Sequence, residues 1–190
     1  MNLRTVYLAA PVFVFAYGVI RILDGLDGSR GPGVAWTTGH LAFLVALTLF
    51  VPIFADMRRR LGGGVLATAS AVVGFAGLAC LGAQFVIDIV AGFVAADKAG
   101  MSQVFDAVQA VPGVELLVYQ AGPALFYLAQ VALVTQLAVA RKAKFWTPIL
   151  VTLDFVLPLV NKDLIPLAAL CLLVSFASLS REDRVPAYAT

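Results

Sequence analysis

Two basic clusters, one at Arg58, Arg59 and Arg60 and one at Arg141, Lys142 and Lys144, sit between long apolar runs and constrain this chain more than any other feature. A membrane crossing needs roughly 20 mostly apolar residues to span a hydrocarbon core of about 30 Å. Six stretches approach that length: 5–23, 39–56, 64–95, 115–140, 146–160 and 164–180. Hydrophobic residues make up 62% of the chain and charged ones 13%. Soluble domains carry about 25% charged residues, so these runs could not all be covered in water. The reading is all-α: a polytopic integral membrane protein with one transmembrane domain over 1–190, built as a six-helix bundle. Only Asn161, Lys162 and Asp163 separate the fifth and sixth runs, which predicts a tight hairpin.

The same clusters orient the bundle, because basic residues in short loops favour the cytoplasmic side. With Arg58 to Arg60 inside, alternation also puts Arg141, Lys142, Lys144, Arg4, Arg181 and Arg184 inside. That gives nine basic residues inside and four outside, the latter being Arg21, Arg30, Lys98 and Lys162. Both termini are then cytoplasmic, and the expected location is the cell (plasma) membrane, multi-pass. The first run is longer than a signal-peptide core of about 7–15 residues and no small-x-small site follows it, so it is expected to stay attached.

Local signals refine this outline. Met101, Val104, Phe105, Val108 and Val111 recur at helical spacing, with Ser102 as cap and Pro112 as stop. They predict a short amphipathic helix near 102–111 on the outer interface. Pro11, Pro52, Pro123, Pro158 and Pro166 fall inside runs and predict kinks, with Gly122–Pro123 the clearest hinge, while Pro148 suits a first turn. Ala67, Ser70, Ala71, Gly74 and Gly77 form a small-residue stripe that predicts close packing by the third helix.

Several chemistries are disfavoured. Cys80 and Cys171 stand alone in apolar runs and read as small buried hydrophobes, not as a redox pair. A single histidine cannot supply a zinc site or bis-histidine haem ligation. No metal, cofactor or nucleic acid is expected. The expected ligand is a membrane lipid or hydrophobic small molecule, and a homo-oligomer or a membrane-complex partner is possible in principle.

Once topology is assigned, polar groups gather in the outer half. Tyr17 and Arg21 are four apart, as are Gln84 and Asp88, and Glu115 and Tyr119, so each pair shares a helix face. Asp24 and Asp27 follow the first helix, His40 opens the second and Asp163 opens the sixth. Arg21 is expected to snorkel or to pair with Asp88 or Glu115. Asp154 differs: it lies about 12 Å along the helix from Trp146, near the midplane, where a carboxylate costs about 2.5–3.5 kcal/mol on insertion scales. Hydrocarbon favours its uncharged acid form. It would be either a proton donor or a buried acid bonded to a neighbouring Thr or backbone carbonyl. Aromatic residues, Phe155 among them, surround this layer and would give a cavity apolar walls with a few polar groups.

Three functions fit. The first is a membrane enzyme using a carboxylic acid for acid–base chemistry on an isoprenoid- or lipid-like substrate, such as a cyclase or isomerase. Its catalytic residues would be Asp154, Asp88 and Glu115, and its substrate-binding residues Tyr17, Arg21, His40, Gln84, Tyr119 and Phe155. A small bundle with acids and aromatics inside is similar in kind to membrane-embedded terpene cyclases and sterol isomerases, without sharing a motif with them. The others are an accessory or assembly subunit of a larger membrane complex and a small proton-coupled transporter, though no inverted repeat supports the last.

Overall fold

A computed structural model of the chain describes residues 2–26 and 28–181. Asp27 and Arg184, which entered the loop and charge arguments, lie outside the described residues. The described chain is helical, with no strand among its described residues. Its helices are α1 (Leu3–Asp24), α2 (Val34–Arg60), α3 (Val65–Val94), α4 (Lys98–Gln109), α5 (Gly122–Val139), α6 (Thr147–Val160) and α7 (Ile165–Leu179). A π-helical segment, Glu115–Ala121, runs directly into α5, and a single 3₁₀ turn, Lys162–Leu164, links α6 to α7.

Five helical stretches are long and apolar enough to cross a membrane: α1, α2, α3, the π-segment with α5, and the 3₁₀ turn with α7. The sixth apolar helix, α6, has 14 residues. At 1.5 Å per residue it is about 21 Å long, short of a full hydrocarbon core. The fifth run is therefore a helix that falls short of a crossing by itself, because Pro148 begins it and Asn161 stops it in extended conformation. The expected hairpin follows at once, with Asn161 accepting the Asp163 N–H at 2.9 Å.

The helices form a ring. α1 packs on α2 and α7, α2 on α3, and α3 on α5, while α6 closes the circuit on α7 and more lightly on α5. The small-residue stripe does what its composition predicts. Ala67, Ala71, Gly74 and Gly77 are buried, and a Cβ on Gly77 would collide with the Phe126 backbone. Only glycine lets α3 and α5 approach so closely. The bundle centre is filled by Tyr7, Phe50, Phe54, Phe126 and Phe176, all less than 3% exposed.

Where the chain departs from the sequence reading, backbone chemistry explains it. The short amphipathic helix starts at Lys98 rather than Ser102, because Asp97 caps it by accepting the Gly100 N–H at 2.8 Å. Ser102 instead donates to the Lys98 carbonyl. Pro166 lies in the first turn of α7, not in a kinked interior. Pro123 likewise begins α5, and the hinge expected there is a change of helix type. Proline has no N–H for the Tyr119 carbonyl, four residues back. The preceding turns widen, and Gly122 N–H bonds to the Leu117 carbonyl, five residues back.

The end of the ring bearing Arg58–Arg60, here the basic end, is sealed. Asp56, 3% exposed, accepts hydrogen bonds from Tyr7 Oη at 3.0 Å, from Arg60 Nε at 2.7 Å and from Arg59. Arg60 also donates to the Leu179 carbonyl, and Lys142 Nζ to the Arg60 carbonyl. These bonds tie α1, α2, α7 and the α5–α6 loop together.

Candidate functional site

At the opposite end, the ring encloses a cavity of about 460 Å³. That is within the range of small-molecule sites. The five long stretches and α6 all contribute to its wall. Tyr17 and Arg21 come from α1, Trp36, His40 and Phe43 from α2, and Gln84, Phe85 and Asp88 from α3. The π-segment and α5 supply Tyr119, Gln120 and Tyr127, α6 supplies Phe155, and Lys162 and Ile165 stand at the head of α7.

Seven of the nine residues expected at a site meet here: Tyr17, Arg21, His40, Gln84, Asp88, Tyr119 and Phe155. Glu115 and Asp154 do not line the cavity. Glu115 is exposed and accepts a bond from Gln120 Nε2 at 3.1 Å. In a π-helix residues five apart are bonded neighbours, so Glu115 meets Gln120 while Tyr119 lies on the cavity wall. The four-residue face predicted for Glu115 and Tyr119 is absent for that reason. Asp154 is buried in the interior and accepts a hydrogen bond from Gln130 Nε2 at 3.1 Å, in place of the Thr or backbone partner expected for it. Its chain neighbour Phe155 stacks on Tyr127 at 5.2 Å and forms the cavity wall.

His40 and Asp88 are the chemical centre of the wall. His40 Nδ1 lies 2.6 Å from the Trp36 carbonyl. A carbonyl can only accept, so Nδ1 carries the proton. Nε2 is thereby turned to Asp88, 3.6 Å from Oδ2. Trp36 fixes both partners, since its indole N–H donates to the Asp88 carbonyl at 2.7 Å. Tyr17, Phe43 and Phe85 pack against one another around this pair, and Phe43 and Phe85 are stacked at 4.2 Å.

The charges at the mouth are arranged differently from the expectation for Arg21. Its Nε stands 3.9 Å from Asp163, not beside Asp88 or Glu115. Asp163 is held more closely by Arg30 Nη2, at 2.8 Å, and Arg30 Nε donates to the Arg21 carbonyl. Three side-chain atoms of cavity residues, Arg21 Nε, Gln84 Oε1 and Tyr119 Oη, are buried without a hydrogen-bond partner, as is Gln130 Oε1 in the interior. Buried polar groups are normally satisfied. Among the described residues no group of three or more His, Cys, Asp or Glu could hold a metal ion.

No family model matches this chain, and neither a curated protein nor a solved structure does.

Sequence reasoning missed Asp56, Gln130, Gln120 and Lys162 as partners. Asp56 was legible, since Arg59 and Arg60 follow it at helical spacings of three and four. Gln130 was legible too. It lies about 13.5 Å before the end of α5 and Asp154 about 12 Å after Trp146, at matching depths of an antiparallel pair. Gln120 depended on the π-turn, which has no simple sequence signature beyond Pro123.

Proposed function

We propose that this protein is an enzyme embedded in the cell membrane, with its basic end and both termini in the cytoplasm. It acts by acid–base chemistry on an isoprenoid- or lipid-like substrate held in the cavity. The observation that carries this reading is the His40–Asp88 pair, set into a largely aromatic wall with His40 Nε2 turned to the Asp88 carboxyl. A separation of 3.6 Å is beyond a direct hydrogen bond but within reach of a small approach or one bridging water, as is common in unliganded sites. Asp88 with His40 takes the acid role ahead of Asp154 and Glu115, because both line the cavity and the other two do not.

The reaction this supports is redox-neutral. The pair gives a proton to an alkene carbon, whose π electrons form the new C–H bond. It recovers a proton from an adjacent carbon, whose C–H electrons form the relocated double bond or follow ring closure. Aromatic faces at Phe43, Phe85 and Tyr127 suit an intermediate cation. The sealed basic end, where Asp56 binds Tyr7, Arg59 and Arg60, weighs against a path through the bundle and hence against transport.

Deuterium transfer provides the test. Purified protein incubated with a membrane lipid extract in D₂O should place deuterium on carbon in one lipid or isoprenoid species, detected by mass spectrometry. Asp88→Asn should abolish it while leaving the thermal unfolding midpoint nearly unchanged. Incorporation that is absent in wild type, or equal in the variant, would overturn the proposal.

A further inference from the structure

We infer that the cavity takes an amphiphile with an anionic oxygen headgroup, a carboxylate or a phosphate. Arg21 and Lys162 would hold the head, and the chain would run inward past the His40–Asp88 pair to Tyr127 and Phe155. This rests on the reading of the cavity as the substrate site and names the class of substrate.

The wall is layered by depth. At 1.5 Å per residue, Arg21 lies about 4.5 Å inside the end of α1, while His40 and Asp88 lie about 9 Å inside the ends of α2 and α3. Lys162 stands just beyond the end of α6. The cations are thus shallow, the proton pair is deeper, and Tyr127, about 18 Å beyond the start of the π-segment, is deeper still. An amphiphile in a bilayer has the same order, with its charge at the interface and its chain inward. Such a molecule could enter sideways between α5 and α6, which pack only lightly on each other.

The charges agree with the depths. Asp88 is the sole acid lining the cavity among the described residues, and it faces His40. Asp163 is engaged by Arg30 and leaves Arg21 Nε without a hydrogen bond. Asp24 lines an adjoining crevice with Arg21 and Arg30, which shares Tyr17, Trp36 and His40 with the cavity wall. Tyr119 Oη is buried and unpartnered in the wall and can donate to a headgroup oxygen. A neutral hydrocarbon would leave Arg21 Nε and Tyr119 Oη unsatisfied, whereas one anionic headgroup supplies acceptors for both.

The test uses the full chain in phosphatidylcholine nanodiscs with four probes of one chain length: laurate, dodecyl phosphate, dodecanol and dodecyltrimethylammonium. Laurate, dodecyl phosphate or both should raise the unfolding midpoint saturably, and whichever does so identifies the head. Dodecanol and the ammonium probe should not. Arg21→Gln should weaken binding at least tenfold, and Lys162→Gln, an exposed position that leaves the fold undisturbed, several-fold. Equal effects of dodecanol and laurate, or unchanged affinity in both variants, would overturn the inference. If deuterium incorporation persists while the anionic probes fail, only the headgroup assignment falls. If the anionic probes bind but incorporation is absent, the acid–base reading falls and the binding site stands.

Discussion

Asp154 and Gln130 meet inside the bundle with almost no exposure, 3% and 0% respectively, and are joined by a single bond of 3.1 Å. The Gln130 amide donates to Asp154 Oδ2, while its own Oε1 has no partner. Removing one member strands the other. Asp154→Leu and Gln130→Leu should therefore each destabilise by about 1–3 kcal/mol, the cost of an unsatisfied buried polar group. Replacing both with leucine removes the stranded groups together and should be close to neutral. With single losses at the lower end of that range, about 1 kcal/mol each, the double-mutant cycle returns a coupling of about 2 kcal/mol, at the upper end of what interhelical bonds in membranes deliver. Asp154→Asn offers the same acceptor and adds an N–H for Gln130 Oε1, so it should match wild type or exceed it by about 0.6 kcal/mol. Reversible unfolding in mixed micelles of neutral detergent and dodecyl sulfate measures all four. If the two leucine substitutions simply add in the double variant, the pair is not a bonded unit and this account of Asp154 is wrong. Deuterium incorporation by Asp154→Asn separates the remaining role. Retained incorporation leaves Asp88 and His40 as the acting pair, whereas its loss with stability intact would make Asp154 the proton store.

Three further outcomes follow from the same geometry. Asp56→Ala should cost about 3–5 kcal/mol in the same unfolding assay, because it leaves Arg60 in a buried ion-pair position without its carboxylate; a loss under 1 kcal/mol would show that the seal is not held by Asp56. Pro123→Ala restores an N–H opposite the Tyr119 carbonyl, so the π-turn should relax to α, protect the new amide from hydrogen exchange and weaken binding of the anionic probe; an unchanged exchange pattern would mean that Pro123 does not cause the π-turn. Single cysteines at Ser29 and Ala143 should react with impermeant maleimide from opposite faces of the membrane, and labelling from one face would defeat the orientation.

The all-helical class and the apolar helices were legible because a bilayer admits few backbone solutions. Length and hydropathy locate α1 and α3 to within two residues, whereas α2 begins five residues before and ends four beyond the expected 39–56, and the glycine stripe identifies the α3–α5 crossing. The cavity wall was legible for a related reason: Tyr17 with Arg21 and Gln84 with Asp88 are spaced for one face of an α-helix. That argument fails where the helix is not α. Glu115 and Tyr119 diverge because Pro123 withholds one donor and the backbone answers with five-residue bonds. Pairings between helices were harder to read than faces. Arg21 finds Asp163 rather than Asp88 because the α6–α7 turn swings over the end of α1, a long-range approach that periodicity does not encode.

The two ends of the bundle use similar residues to different effect, and hydrogen-bond satisfaction separates them. At the basic end Asp56 receives three donors, and Arg60 also donates to the Leu179 carbonyl. Three donors occupy most of the carboxylate's acceptor sites, and moving it would break several bonds together. At the other end His40 and Asp88 stand 3.6 Å apart and Arg21 Nε has no acceptor. A network meant only to hold helices together would tighten these contacts, since a half-satisfied polar group in a low dielectric is costlier than an apolar one. Their looseness has a cost in stability that a bound headgroup would offset. The same chain thus shows what a satisfied polar cluster looks like in this bundle, and the cavity wall differs from it in leaving Arg21 Nε, Gln84 Oε1 and Tyr119 Oη without hydrogen bonds.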